Sequence, residues 1–344
     1  MLRFLAWTTT TFFALGLIGA VGVLLVLYYF GRGLPDYAQL AKYEPPVVSR
    51  LYASEYPNNC FNKFVYRRPL MKKILKNKLF LMGSLLVLFS GFIVYLFFDG
   101  YYARKFRTMQ DEFSTVTDVD LTGLRELRAS GSDSVDFFII KQKLRDIKGN
   151  KIMIDGMSEF HGYIHGVPTT LLGYNTSPPA FRHYLRRLLV TGSTEVRPNL
   201  VINGQKEAKI YEFDYKNIKM ISKSIPTNES IDEFVTFLDN LPGETWLHFH
   251  CHNGRSRTSM MLVMFDIMKN APKVSLKDIV KRQAYLGSEN LFDTDAWQHS
   301  TYDKHMLETR KKFIEEFYQF VCQRKAGGIQ YWSDWQCQQQ ANSL

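Results

Sequence analysis

The sequence is poor in cysteine, and its few cysteines lie far apart. There are four, Cys60, Cys251, Cys322 and Cys337, and no two of them form a C-x-x-C pair. This spacing argues against a disulfide framework and against a cysteine-based zinc site. The sequence therefore predicts neither a metal nor a cofactor.

The chain also lacks an arginine-rich run with interleaved aromatic residues in its C-terminal region. Its formal net charge is nevertheless +10, from 43 Lys and Arg against 33 Asp and Glu. A basic balance indicates an anionic partner, such as lipid headgroups or a phosphorylated substrate, although a solvated face and membrane-flanking lysines would produce the same balance. Without such a run, nucleic acid is not an expected partner.

Charged residues are absent from two long apolar stretches, residues 4–31 and 79–98. Each exceeds the roughly 18 apolar residues that are typical of a membrane-spanning helix. We therefore expect one or two N-terminal membrane helices. The remainder, from about residue 100 to 325, alternates polar and apolar residues and is long enough to bury a core of its own.

The second apolar stretch has the layout of a signal anchor. A basic segment beginning at Met71 precedes it, and Tyr101-Tyr102-Ala103 is a poor cleavage site, so we expect an uncleaved anchor. One interpretation is that the biological product begins at Met71; the alternative is an ordinary protein with two spans. Residues 31–78 carry ten Lys and Arg against three acids. The positive-inside rule then predicts a membrane-anchored protein whose C-terminal domain is periplasmic or secreted.

The first apolar stretch is followed by Leu34-Pro35-Asp36-Tyr37 and Tyr43-Glu44-Pro45-Pro46. With that stretch, these segments resemble the N-terminal anchor of class A penicillin-binding proteins. The resemblance covers residues 1–54 alone, and residues 55–344 contain no Ser-x-x-Lys for a transpeptidase nucleophile. A cell-envelope function of the penicillin-binding type thus remains only a third alternative for the chain.

The rest of the chain predicts an α/β domain. Residues 152–155 and 245–250 read as buried strands, and residues 256–269, 275–285 and 303–324 as helices. Strands that alternate with helices are typical of α/β folds. The predicted organisation is an anchor segment at 1–54, a linker at 55–70, a signal-anchor-like helix at 71–103, a catalytic domain at 104–325 and a polar tail at 326–344.

One thiol lies in a setting suited to phosphate chemistry. Five residues separate Cys251 from Arg257, between a predicted strand and a predicted helix. Amide groups of a loop at a helix N-terminus bind phosphate oxygens and stabilise a thiolate, which is the nucleophilic form of cysteine. Arg257 supplies a bidentate fork for phosphate oxygens. Thr258 is expected to donate its hydroxyl to the sulfur and His250 to orient the cysteine. The phosphate-binding loop would comprise His252, Asn253, Gly254, Arg255 and Ser256, with Gly254 allowing its tight curvature.

Around this loop the sequence resembles the cysteine-dependent protein tyrosine phosphatase superfamily, most of all its phytase-like branch of inositol polyphosphate phosphatases. The resemblance spans about residues 104–300 and includes Phe106-Arg107, Gly123 to Ser132, Ile154-Asp155 and Trp246-Leu247-His248-Phe249-His250-Cys251. It implies a central, partly parallel sheet flanked by helices. It also implies a metal-free mechanism through a cysteinyl-phosphate intermediate.

Two positions depart from that family's pattern. The family carries an Asp on a mobile loop, which protonates the leaving oxygen, and the matching position here is Ser222. A serine cannot serve as a general acid at neutral pH, and the loss of such an acid typically costs about 10²- to 10⁴-fold in rate. The family's substrate-binding arginine after the Asp155 strand is here Met157. Asp214 and Glu229 are the nearest acids that could replace the missing one.

Five further residues are candidates for substrate binding or support of the site: Asp155, Glu159, His161, Lys223 and Gln283. Each has a plain structural alternative, such as a strand-end cap for Asp155 or a solvated side chain for Lys223. The predicted function is hydrolysis of a phosphomonoester, either an inositol polyphosphate or a phosphotyrosine-type substrate on a small molecule or phosphoprotein. The alternative is a pseudophosphatase that binds phosphorylated ligands with little turnover.

Overall fold

The computed structural model describes residues 78–101, 105–112, 118–134, 136–296 and 302–342. The chain divides into two compact units, Met1–Leu96 and Phe97–Leu344. The predicted span at 4–31, the penicillin-binding-like segment and the linker at 55–70 lie outside the described residues.

The apolar stretch at 79–98 forms a helix, α1 (Lys78–Tyr101), as the sequence predicts. Within the described ranges, however, no helix combines the length and the apolarity that crossing a membrane requires. The expectation of N-terminal membrane helices is therefore not supported.

The second unit contains a five-stranded sheet in the order β1-β2-β7-β3-β6. Strand β1 pairs antiparallel with β2, and the other neighbours are parallel. The remaining two strands form a separate antiparallel hairpin. The strands are β1 (Arg107–Thr108), β2 (Ala129–Asp133), β3 (Lys151–Asp155), β4 (Tyr163–Ile164), β5 (Val167–Pro168), β6 (Asp214–Asn217) and β7 (Trp246–Cys251).

Eight further helices surround this sheet in the described part of the second unit. They are α2 (Phe137–Lys143), α3 (Phe181–Thr191), α4 (Gly204–Ile210), α5 (Asn228–Asp239), α6 (Ser256–Asn270), α7 (Leu276–Tyr285), α8 (Lys304–Lys325) and α9 (Trp332–Asn342), with a 3₁₀ turn at Pro198–Leu200. The predicted helices at 256–269, 275–285 and 303–324 and the two predicted strands are confirmed to within a residue or two. The predicted α/β class is confirmed with them.

Hydrophobic residues cover both faces of the central strand β7. Leu247 and Phe249 belong to the larger core cluster together with α6, whereas Trp246 belongs to a smaller cluster with Phe137 and Met153. Successive side chains of a strand point to opposite faces of a sheet, so a central parallel strand needs apolar or fully bonded side chains at every position. This is why all six residues of β7 are buried.

The carboxyl ends of the parallel strands meet at one edge of the sheet. In the register of the sheet, Asp133 at the end of β2 pairs with Cys251 at the end of β7, and Asp155 at the end of β3 pairs with His250. Ligands of open α/β sheets bind outside this edge. The topology therefore brings residues from two distant segments, the ends of β2 and β3, to the end of β7 at Cys251.

The prediction of a polar tail at 326–344 is wrong for most of its length. Helix α9 buries Trp332 and Trp335, whose rings stack with their centroids 5.3 Å apart. Asp232 of α5 accepts hydrogen bonds from the first amides of α9, at 2.6 Å from Trp332 N. The prediction failed because the glutamine-rich composition of the segment outweighed its two tryptophans, which are buried. The catalytic domain therefore continues to residue 342.

Candidate active site

The loop predicted to bind phosphate, residues 252–256, follows Cys251 at the end of β7 and leads into α6. Cys251 is 3 % exposed, and α6 begins at Ser256. Gly254 has a φ of +62°, and a Cβ built on it would lie 2.4 Å from the backbone nitrogen of Asp133. Only glycine fits this position, because both the left-handed backbone and the contact with β2 exclude a side chain.

The first turn of α6 supplies the hydrogen bond that the nucleophile requires. The hydroxyl of Thr258 donates to Cys251 Sγ at 3.1 Å, and Thr258 is fully buried. The sulfur also lies at the N-terminal end of a 15-residue helix, where the backbone dipole favours a negative charge. A hydroxyl donor and a helix N-terminus beside a sulfur are features of reactive cysteines.

Arg257 is held in one orientation by the carboxylate of Glu159. Its Nη1 and Nη2 donate to the two carboxylate oxygens of Glu159 at 2.7 and 2.8 Å. Nη1 also lies 3.3 Å from the carbonyl oxygens of Gly156 and Met220. Among the described residues, the Nε–H and the second Nη2–H of Arg257 meet no acceptor, so both are available to a substrate. Burial acts to lower the pKa of Arg257, but Glu159 outweighs it and raises that pKa.

A second arginine, Arg107 of β1, ties the loop to its surroundings from behind. It donates to the carbonyl oxygen of Gly254 at 3.0 Å, to Ser259 Oγ at 3.2 Å and to Ser288 Oγ at 2.9 Å. Burial lowers the pKa of Arg107 to about 10, although Cys251 and nearby carboxylates oppose this shift. Arg107 belongs to the segment that resembles the family, but no sequence pattern indicates that it contacts the loop.

A buried hydrogen-bonded chain links β2 to β7 beneath the loop. Trp246 Nε1 donates to Ser130 Oγ at 2.8 Å, and His248 bonds Ser130 through Nδ1 at 2.9 Å and Ser132 through Nε2 at 3.0 Å. The hydroxyl of Ser132 donates to the Asp133 carbonyl oxygen, so His248 must donate to it through Nε2 and accept from Ser130 through Nδ1. The chain fixes the strands against which Gly254 is packed.

His250 does not orient the cysteine through side-chain hydrogen bonds, contrary to the sequence-based expectation. Neither of its ring nitrogens has a hydrogen-bond partner in the described residues, and its ring meets the ring of Phe137 edge to face, at 5.8 Å between centroids. Complete burial lowers the pKa of His250 and favours the neutral ring. Its contribution comes from the backbone, where its carbonyl oxygen accepts from Gly156 N at 2.9 Å.

Asp155 and His161 form a buried ion pair beside the loop. Nε2 of His161 contacts an Asp155 carboxylate oxygen, and Nδ1 lies 2.5 Å from the Glu159 carbonyl oxygen. Neither acceptor carries a hydrogen, so both ring nitrogens donate and the imidazole is charged. The Tyr215 hydroxyl donates to the same carboxylate at 2.6 Å. Burial opposes both charges, yet Asp155 raises the pKa of His161. The nearby imidazoles of His250 and His161 lower the pKa of Asp155 despite its burial. The pair supports the segment that carries Glu159.

A cavity of about 580 Å³ opens over the thiol and contains groups of both signs. Ser222 and Lys223 line it, which places the predicted acid position and its neighbour beside the phosphate-binding loop. Lys223 has a φ of +64°. The other lining residues are Cys251, Asn253, Arg255, Ser256, Arg257, Glu289, Asn290, Asp293, Asp295, Tyr302, Leu307 and Arg310.

Three residues considered from the sequence do not line this cavity. Gln283 is fully buried and donates to Asp266 at 2.9 Å, so it supports the Arg282–Asp266 pair and does not face the thiol. Asp214 begins β6, at the opposite end of the sheet from Cys251, and accepts from Asn150. Glu229 is exposed in the first turn of α5. Among the described residues, no group of three His, Cys, Asp or Glu side chains could hold a metal ion.

The cavity residues contributed by the segment after α7 and by α8 were not found from the sequence. Arg310 of α8 is 5 % exposed and contacts Glu289 Oε2 at 3.2 Å and Ser256 Oγ at 3.4 Å. These residues follow Cys251 by about 40 to 60 positions, and no recognisable sequence motif links them to it. Only the packing of α7 and α8 against α6 brings them to the site.

Comparison with known proteins agrees with this geometry. The family model of the PTP-like phytases, whose description reads "Inositol hexakisphosphate", matches residues 187–269, which include the whole loop. The effector protein hopD2 of Pseudomonas syringae pv. tomato is 23 % identical over 261 residues, which are 67 % of this chain and 56 % of that protein. The uncharacterized protein AvrBs1.1 of Xanthomonas campestris pv. campestris is 32 % identical over 89 residues, which are 26 % of this chain and 86 % of that protein.

A solved structure has the same fold. The PTP-like myo-inositol phosphatase from Mitsuokella multacida, in complex with myo-inositol-(1,3,4,5)-tetrakisphosphate, is 26 % identical, with a TM-score of 0.54. The match covers 68 % of this chain and 47 % of that one. This chain therefore spans about half the length of hopD2 and of the Mitsuokella protein.

The N-terminal resemblance finds a weak match of its own. Penicillin-binding protein 1A of Rickettsia bellii is 51 % identical over 39 residues, which are 11 % of this chain and 5 % of that protein. So small a share of that protein assigns no function to this chain. The family match, in contrast, covers residues 187–269 around Cys251. The chain belongs to the cysteine-dependent protein tyrosine phosphatase superfamily, in its phytase-like branch.

Proposed function

We propose that this protein is a phosphatase that hydrolyses inositol polyphosphates through a cysteinyl-phosphate intermediate. The observation that carries the proposal is the 3.1 Å hydrogen bond from Thr258 to Cys251 Sγ, at the N-terminus of α6 and beside the oriented fork of Arg257. A buried, inert cysteine needs neither a hydroxyl donor on its sulfur nor an arginine held next to it by a carboxylate.

The reaction follows from the groups at the loop. The Cys251 thiolate attacks phosphorus and forms an S–P bond while the P–O bond to the leaving group breaks. Loop amides and Arg257 bind the equatorial oxygens and stabilise the transition state. Water then attacks the phosphorus and breaks the S–P bond, which releases inorganic phosphate and the thiolate. The Thr258 hydroxyl stabilises the sulfur when it leaves.

The cavity supports a substrate with more than one phosphate. Its 580 Å³ exceeds the space that a single phosphoryl group fills, and Lys223, Arg255 and Arg310 lie on its walls beyond Arg257. Lysine and arginine side chains are the usual partners of phosphate groups. The related Mitsuokella protein was solved with an inositol tetrakisphosphate. A polyphosphorylated inositol is therefore the substrate class that we favour.

One observation favours a second candidate, a phosphate-binding pseudophosphatase. Ser222 occupies the wall of the cavity at the position that the resemblance assigns to the general acid. Inositol alkoxides are poor leaving groups, and their departure without a proton is slow. A protein of this kind would bind inositol phosphates through the same loop and release almost no phosphate.

Phosphate release from myo-inositol hexakisphosphate by the full chain separates the two candidates. We expect turnover by the wild type and none by Cys251→Ser, because a serine hydroxyl is not ionised near neutral pH. Cys337→Ser, which changes an exposed thiol, is the matched control and should behave as the wild type. Equal rates for wild type and Cys251→Ser would refute the cysteine mechanism. Binding of the hexakisphosphate without release would favour the pseudophosphatase.

A further inference from the structure

We propose that Asp295, on the loop that follows α7, is the general acid that protonates the leaving oxygen. The inference rests on the proposed phosphatase function and supplies the group that Ser222 cannot. Asp295 lines the same cavity as Cys251, Arg257 and Ser222, although it follows the phosphate-binding loop in the sequence.

The need for such an acid follows from the site itself. Ser222 lines the cavity where the resemblance expects an acid, and a serine hydroxyl does not release its proton to an alkoxide near neutral pH. Asp214 and Glu229, the nearest acids in sequence, do not line the cavity. The acidic side chains that do line it are Glu289, Asp293 and Asp295, all on one loop.

This loop is held firmly against the helices of the site. The backbone nitrogen of Glu289 donates to Ser259 Oγ of α6 at 2.8 Å. Arg310 of α8 donates to the Asp293 carbonyl oxygen at 3.4 Å, and Leu291 between them is fully buried. These contacts hold residues 289–293 against α6 and α8, two residues before Asp295.

Asp295 is the member of the three whose carboxyl group is not already engaged. Glu289 forms an ion pair with Arg310, with 3.2 Å between Arg310 Nη1 and Glu289 Oε2. Asp293 Oδ1 accepts a hydrogen bond from the backbone nitrogen of Asp295 at 3.0 Å. The carboxyl group of Asp295 makes no hydrogen bond within the described part of the chain, and its side chain is exposed. Its carboxyl group is therefore free to meet a leaving oxygen in the cavity.

The proposed step balances protons and electrons. As the S–P bond forms and the P–O bond breaks, the carboxylic acid of Asp295 transfers its proton to the departing oxygen, and a neutral alcohol leaves. The Asp295 carboxylate then accepts a proton from the water that attacks the phosphocysteine. The acid is restored when inorganic phosphate is released.

Two substrates measured on the same full-length variants test the assignment. Asp295→Asn should lower phosphate release from inositol hexakisphosphate by about 100-fold or more, which is within the usual worth of a general acid. Its loss on an activated aryl phosphate should be much smaller, because that leaving group departs as a stable anion. The retained aryl activity also shows that the variant is folded.

Asp146→Asn is the matched control, since Asp146 is an exposed aspartate paired with Arg145 on the surface. It should behave as the wild type on both substrates. An equal loss by Asp295→Asn on both substrates, or a larger selective loss by Asp293→Asn, would overturn the assignment to Asp295. If the wild type hydrolyses neither substrate, the proposed phosphatase function fails instead, so the two failures are distinguishable.

Discussion

Replacement of Glu159 by glutamine tests whether the carboxylate that holds Arg257 contributes to catalysis. In the native protein each carboxylate oxygen accepts one hydrogen bond from the guanidinium, at 2.7 and 2.8 Å. A glutamine retains one acceptor and presents an NH₂ group to the other donor. One charge-assisted bond is lost, which is worth about 1.5–3 kcal/mol. The Glu159 side chain is 27 % exposed, so solvent screening favours the lower end of this range.

If this loss is felt in the transition state, about 1.5 kcal/mol corresponds to a roughly tenfold fall in kcat/KM. We expect Glu159→Gln to show this fall with an aryl phosphate, mainly in kcat, because a misoriented fork binds the transition-state oxygens less well than before. Thermal melting of the same variant measures any general loss of stability. Glu233→Gln is the matched control, since Glu233 holds Lys216 on the exposed surface. A Glu159→Gln enzyme within twofold of the wild-type rate would refute the positioning role.

Two further variants test the loop and its supporting ion pair. Gly254→Ala should lower the free energy of unfolding by at least about 1–2 kcal/mol because of the left-handed backbone, and it should abolish activity because the new Cβ would lie 2.4 Å from a backbone atom of β2. Gly192→Ala is the control for the backbone strain alone, since Gly192 has a φ of +71° and no atom within 4 Å of the added Cβ. Equal losses of stability for the two variants in urea unfolding would contradict the close contact at Gly254. His161→Gln should remove a pH-dependent part of the stability. The pKa of His161 is raised in the folded protein, so its contribution is full below the unfolded value of 6.5 and is lost as the pH rises through the folded value. The pKa of Asp155 is lowered, so the pair also weakens as the pH falls below about 3.8. Urea unfolding at pH 5.5 and pH 9 should therefore show a larger deficit for His161→Gln at pH 5.5, and an equal deficit at both pH values would count against a charged His161.

The position of the nucleophile could be predicted from the sequence because its signal is local. Cys251, Gly254, Arg257 and Thr258 lie within eight consecutive residues, between an apolar strand and an apolar helix. A loop at a helix N-terminus is a local structure, so spacing alone is informative about it. The helices α6, α7 and α8 were predicted for the same reason, since their apolar periodicity is carried by consecutive residues.

Average composition gave a wrong prediction for the C-terminal segment, where a few residues determine the structure. The stretch after Ala326 is rich in glutamine and glycine, yet Trp332 and Trp335 bury it against α5 and α8. Burial of two indole rings removes a large apolar area from water, and this stabilises the packed helix although most of its other residues are polar. The prediction that the His250 side chain orients Cys251 was also wrong. The position of His250 on β7 places its ring against Phe137.

The sequence by itself determined the strand end at Cys251, the loop and the helix that follows, because neighbours along the chain create them. Tertiary structure alone decided what surrounds the loop. Glu159 lies 98 residues before Arg257 and Arg107 lies 147 residues before Gly254, yet both pairs are hydrogen-bonded. The acids at residues 289–295 reach the cavity only because Arg310 and Ser259 hold their loop against α8 and α6. Contacts of this kind depend on the order of strands and the packing of helices, and no local periodicity encodes either one.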